Sequence, residues 1–174
     1  MKMTPEQESK LADFKADIIK DFGKRFKLDI LVETGTWRAM TVHRCFHSFR
    51  KIFTIELDPE LAGQAKSDFQ NAGHVHVIEG DSGQMLYNVL KIVQEPCLLF
   101  LDAHNGTAST PVMTEIAVAF MLLRDKSVIL IDDMRDFRGT NGYPTVVELV
   151  EGLKKVLPHY VVEVKDDILR AYPK

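Results

Sequence analysis

Apolar residues along this chain recur in two rhythms. Between residues 4 and 22, Leu11, Phe14, Ile18 and Phe22 fall at helical spacing behind Thr4 and Pro5, a cap and first-turn pair, so a helix is predicted ahead of the main fold. From residue 29, short continuous apolar runs take over: DILVE, KIFTIE, HVHVIE, CLLFLD and SVILID, each followed by a loop and a helix-like stretch. Such runs read as buried strands, and their alternation with helices implies a parallel sheet covered on both faces. The pattern changes again near the end. A helix from about Pro144 carries Val146, Leu149, Val150, Leu153 and Val156 on one face, and YVVEV and DILRAY then follow with only two or so residues between them. Strands that close in sequence pair only as an antiparallel hairpin. The expected architecture is α/β, with five parallel strands and a C-terminal hairpin. It forms a single domain over 1–174, with an N-terminal helix within 1–25 and a core over 29–174.

Composition narrows the class. The net charge is -3 and the basic residues are scattered, which leaves no footprint for a nucleic-acid backbone. No run of eighteen or more apolar residues offers a membrane span, and the opening MKMTPEQESK lacks the apolar core of an export signal, so the expectation is a cytoplasmic protein. Cys45 and Cys97 lie in apolar periodic segments without metal-type spacing and read as packing residues.

Candidate chemistry enters at the strand ends. The runs finish on Glu33, on Glu56, on Glu79 and Asp81, on Asp102, and on Asp132 and Asp133. In a parallel sheet these ends share one rim, where open α/β sheets bind ligands. Carboxylates gathered there favour a cationic ligand, a metal ion or a hydroxyl-rich group. Behind Glu33, the turn ETGTWRAMT lets backbone approach closely at Gly35, with Ala39 where a third glycine would pack helix against strand. Gly35 and Glu56 stand close to the roughly 20 residues apart expected for an acid that grips ribose hydroxyls. A dinucleotide site shows that spacing too, so an NAD-linked oxidoreductase stays an alternative. The acid at Glu33 and the missing GxGxxG favour S-adenosylmethionine.

Taken as an ordered set, ETGTW...T, IELDPE, EGDS, LFLDAH and VILIDDMRDF...YPT make residues 29 to 150 resemble the class I S-adenosylmethionine-dependent methyltransferases, and within them a group of small bacterial proteins with ETGT, DAH and IDD motifs. The sequence departs from that group at Ala39, where glycine is usual. The resemblance implies a Rossmann-like, doubly wound sheet of order 3-2-1-4-5-7-6 with strand seven antiparallel. It implies that Glu33, Gly35 and Thr36 line the methionine end of the cofactor with Asp102 beside them. Glu56 would bind the ribose hydroxyls, and Asp81 with Ser82 the adenine edge. Trp37 either covers the turn or packs between helix and sheet.

For the reaction itself, two devices are available. Asp102 with Asp132 or Asp133 offers hard oxygen ligands for Mg²⁺ or another divalent cation, an arrangement that resembles metal-dependent O-methyltransferases acting on catechols and macrolide sugars. His104, two residues beyond Asp102, offers a general base. The leading expectation is O-methylation of a small hydroxylated acceptor, a sugar or natural product. A non-catalytic binding module that kept the fold is a further alternative, and a homodimer is one open outcome for oligomeric state. Residues 104 to 111 and 135 to 144 read as acceptor walls, with Arg135, Arg138 and Tyr143 either touching the acceptor or neutralising the rim. The pairs His43 and His47, and His74 and His76, read as surface or packing residues.

Overall fold

The computed structural model describes residues 4–103 and 110–174. Seven strands form one sheet of order β3-β2-β1-β4-β5-β7-β6, as the resemblance implies. They are β1 (Ile30–Thr34), β2 (Lys51–Glu56), β3 (Val75–Glu79), β4 (Leu98–Leu101), β5 (Val128–Ile131), β6 (Tyr160–Lys165) and β7 (Ile168–Pro173). The first five run parallel, while β7 lies antiparallel to both β5 and β6. A two-residue turn, Asp166 and Asp167, both at positive φ, closes the β6–β7 hairpin. That geometry matches the right-handed twist of the flanking strands.

Among the described residues six α-helices, α1 (Pro5–Phe26), α2 (Met40–Cys45), α3 (Pro59–Asp68), α4 (Ser82–Ile92), α5 (Val112–Leu122) and α6 (Val146–Val156), cover the two faces. Alternation along the strands sorts the core. Ile30, Val32, Leu99, Leu101, Ile129 and Ile131 pack with α4, α5 and α6, whereas Leu31, Leu98, Phe100, Val128 and Leu130 pack with α1, α2 and α3. Both faces are dry, which explains continuous rather than alternating hydrophobicity in the sequence.

The first helix starts where expected, with a reciprocal capping box between Thr4 and Gln7, and runs on to Phe26. Its buried face differs from the expected stripe. Ala12, Ala16, Ile19, Phe22 and Gly23 are buried, and Phe14 is 43% exposed. Small residues let α1 lie close to its neighbours: the Phe49 ring stands against Gly23, where an added Cβ would come within 2.9 Å of it. In α6, Leu149 and Leu153 are buried, but Val156 at the last position points out. Among the described residues no helix is long and apolar enough to cross a membrane.

Candidate active site

The carboxyl ends of the central strands open onto a cavity of about 770 Å³, within the range of small-ligand sites. One wall is α1, whose Glu8, Leu11, Ala12 and Lys15 face it at helical spacing. Arg44 of α2 fixes that docking, since its guanidinium donates to the Ser9 hydroxyl at 2.8 Å and pairs with Asp13. Arg38 pairs with Glu8 at 3.1 Å.

The β1–α2 turn forms the floor. Gly35 has φ +81°, and a Cβ there would stand 2.4 Å from the Asp102 carbonyl oxygen, so the turn lies directly on the end of β4. Ala39 takes φ 55° with its side chain buried, the left-handed conformation that explains why glycine suits this position. Trp37 is 54% exposed and lines the cavity, with the Arg38 guanidinium 5.6 Å from its ring centre. It stands over the turn; packing between helix and sheet is overturned by that exposure.

Glu56 lines the cavity and is held from behind. Its carboxylate accepts the Trp37 amide at 2.7 Å and the Asp58 amide at 3.0 Å. Asp81 caps α4 by accepting the Gln84 amide at 3.1 Å, and with Ser82 it lines the same cavity. Thr36 lines it as well; its hydroxyl is 2.6 Å from that of Thr54. Because Thr54 gives its own proton to Glu33 at 2.7 Å, Thr36 is the donor in that pair.

Two members of the acidic rim take other places. Glu33 is buried beneath the turn rather than among the residues described as lining the cavity. Burial pushes its carboxyl up to about 7, against the Thr54 bond and the charge of Lys15. Its side chain follows Leu31 toward the α1–α2 face, because successive strand residues alternate. Glu79, at the sheet edge, pairs with Lys66 at 2.9 Å in solvent.

Asp102, Asp132 and Asp133 do converge, each offering an oxygen within 4.8 Å of the others. The donors suit a hard divalent cation. A cation from the chain already stands among them: Lys15 pairs with Asp102 at 2.8 Å and with Asp132. Burial alone would lower the Lys15 pKa, but the two aspartates outweigh it and hold the ammonium above its ordinary value. Burial pushes Asp102 well above its ordinary value, with Lys15 opposing. Asp133 pairs with Arg135 at 2.6 Å, and Asp167 at the tip of the β6–β7 hairpin accepts the Arg135 amide at 2.7 Å and also pairs with its guanidinium.

Lys15 was missed by sequence reasoning, though a signal existed: it interrupts the helical spacing that joins Leu11 to Ile18 and Phe22. Glu115 of α5 was missed too. It is fully buried beside the Ser82 and Thr34 hydroxyls, and burial pushes it up to about 7 against them. His104 lies outside the described residues, as do residues 105 to 109 of the expected acceptor wall. Tyr143 is a core residue, edge-on to Phe137 at 5.1 Å, and Arg138 donates to the Arg135 carbonyl at 2.7 Å. The remaining histidines stand outside the cavity: His43 is 3.7 Å from Asp68, His74 meets the Phe46 carbonyl at 3.0 Å, and His76 stacks on Phe53. Cys45 and Cys97 are buried free thiols, each pushed up to about 12 by burial.

This strand order, with its cavity at the carboxyl ends, is the Rossmann-like methyltransferase fold. Solved structures of that fold superpose on most of the chain. An O-methyltransferase from Bacillus cereus in complex with SAH matches at TM-score 0.66 and 19% identity, over 99% of this chain and 83% of that one. TomG, the Streptomyces achromogenes O-methyltransferase of tomaymycin synthesis, in complex with SAM, matches at 0.65 and 16%, over 92% and 79%. MycE of the mycinamycin pathway, in complex with Mg and SAH, matches at 0.64 and 15%, over 92% of this chain and 48% of that one. No protein-family model matches the sequence, and no curated protein does.

Proposed function

We propose that this chain is an S-adenosylmethionine-dependent methyltransferase that methylates a hydroxyl of a small acceptor, a sugar or natural product. The observation that carries the reading is the cavity floored by Gly35, where no Cβ fits, and flanked by a Glu56 carboxylate fixed by the Trp37 and Asp58 amides. A carboxylate oriented before the ligand arrives suits two vicinal hydroxyls of a ribose. Asp81 and Ser82 would take the adenine edge, while Gly35, Thr36 and Trp37 would enclose the methionine end. Glu33 supports this turn from below through Thr54 and Thr36.

The bound donor supplies an electrophilic methyl carbon on a cationic sulfur. The chain's own task is to exclude water, align the acceptor oxygen and take up its proton. We assign proton removal to the pair Asp102 and His104. Asp102, Asp132 and Asp133 are the residues that would hold a divalent ion, which lowers a hydroxyl's pKa when bound.

Calorimetric titration with S-adenosylmethionine and its demethylated product tests the reading. Both should bind one to one, and NADH should give no heat in the same cell. Heat from NADH alone would return the oxidoreductase alternative. Donor binding with no turnover on any hydroxylated acceptor pool would favour a binding module.

A further inference from the structure

We propose that the ammonium of Lys15 is the resident cation of the carboxylate cluster, and that it holds the gap a divalent ion would need. Divalent-ion binding and docking of this side chain are then mutually exclusive. The inference goes beyond the transferase reading and stands without it, since it concerns only the chain and the ion.

Geometry carries it. A hard divalent ion seats itself about 2.0–2.6 Å from each carboxylate oxygen, so three oxygens within 4.8 Å of one another define one small gap. Lys15 bonds to Asp102 at 2.8 Å and to Asp132, so it occupies two of the three carboxylates that bound that gap, and it is itself largely buried. An ion placed there would meet an ammonium at contact distance in a poorly solvated setting, where like charges repel strongly.

Charge balance agrees. Lys15 answers Asp102 and Asp132, and Arg135 answers Asp133 while also serving Asp167. Each of the three carboxylates therefore has a cationic partner from the chain.

Nor is Lys15 a chance visitor. It stands on the cavity-facing side of a 22-residue helix with a reciprocal cap, between the buried Ala12 and Ala16, and that helix is gripped by Arg44 through Ser9 and Asp13. Withdrawing the ammonium would leave two aspartates without their shared partner, a heavy cost for a buried pair. An incoming ion has to meet that cost or supply an equal charge.

The test is direct binding of Mn²⁺ and Mg²⁺, by calorimetry, to chelator-stripped protein. Wild type and Lys15→Arg should bind weakly, and Lys15→Met about tenfold or more tightly, because the vacated carboxylates recruit the ion. Adding Asp132→Asn to Lys15→Met should return binding to the wild-type level, which ties the gain to this cluster. Lys15→Gln, which keeps a polar head, provides a second opened site should Lys15→Met fold poorly. Equal affinity in wild type and the opened variants would overturn the proposal, as would absence of binding in all of them. The transferase reading fails or survives separately, by donor titration of the same samples.

Discussion

The Nζ of Lys15 lies 2.8 Å from the Oδ2 of Asp102, joining the first helix to the end of β4 across 87 positions of sequence. The bond closes one side of the cavity and makes α1 part of the site. Removing the lysine should therefore weaken the fold as well as the site. Lys15→Ala is expected to lose about 3–5 kcal/mol of unfolding free energy in urea, the usual cost of leaving buried charges without their partner. A loss under about 1 kcal/mol would mean the pair is solvated and that α1 docks without it.

Glu56 should dominate donor affinity. Glu56→Ala leaves the amides of Trp37 and Asp58 without their acceptor and removes the cavity-lining carboxylate proposed above to hold the ribose hydroxyls. Product binding measured by calorimetry should fall by about 100-fold, since a charged hydrogen-bond acceptor contributes about 1.5–3 kcal/mol. Unchanged affinity would place the donor elsewhere.

Gly35→Ala probes the floor. With φ +81° and a Cβ site 2.4 Å from the Asp102 carbonyl, the substitution has to push the turn off β4. We expect at least about 2 kcal/mol of destabilisation and no measurable product binding. A thermal scan reads the first and calorimetry the second.

Stability should fall as pH rises through neutrality. Glu33 and Glu115 are each pushed up from 4.5 to about 7 by burial, so between these values the folded chain holds a proton that the unfolded chain has released. By linkage the stabilisation is full below pH 4.5 and is lost as pH climbs through 7, on the order of 3 kcal/mol for each group. Urea titrations at pH 5 and pH 8 should show the drop, and Glu33→Gln should reduce it. If the variant keeps the same pH slope, Glu33 ionises normally.

Trp37 is the chain's one tryptophan, lines the cavity and is 54% exposed, which makes it a built-in reporter. Its emission should shift to shorter wavelength as the demethylated product covers it, with a midpoint equal to the calorimetric one. A static spectrum alongside measurable heat would mean that the ligand leaves the indole in water.

Where physics is local, the sequence told the truth. Continuous apolar runs marked β1, β2, β4 and β5 because those strands are dry on both faces, and two residues between β6 and β7 left antiparallel pairing as the outcome. The carboxylates of Glu56, Asp81, Asp102, Asp132 and Asp133 were legible as strand-end punctuation. What strand ends do not encode is side-chain direction: Glu33, one residue before β1 finishes, turns under the floor, and Glu79 at the sheet edge turns to solvent. Long-range pairings left the faintest trace. Nothing near residue 102 announces Lys15, and Glu115 looks like an ordinary polar residue, next to Thr114, in a mostly apolar helix.

The turn at Asp166 and Asp167 belongs to the last hairpin, yet Asp167 accepts the backbone amides of Met134 and Arg135 and so braces the segment that carries Asp133. During synthesis, then, the ribosome has to pass residue 167 before this corner of the pocket can set. A nascent chain that stops short of the last hairpin would hold the five parallel strands and still lack the brace beneath Asp133.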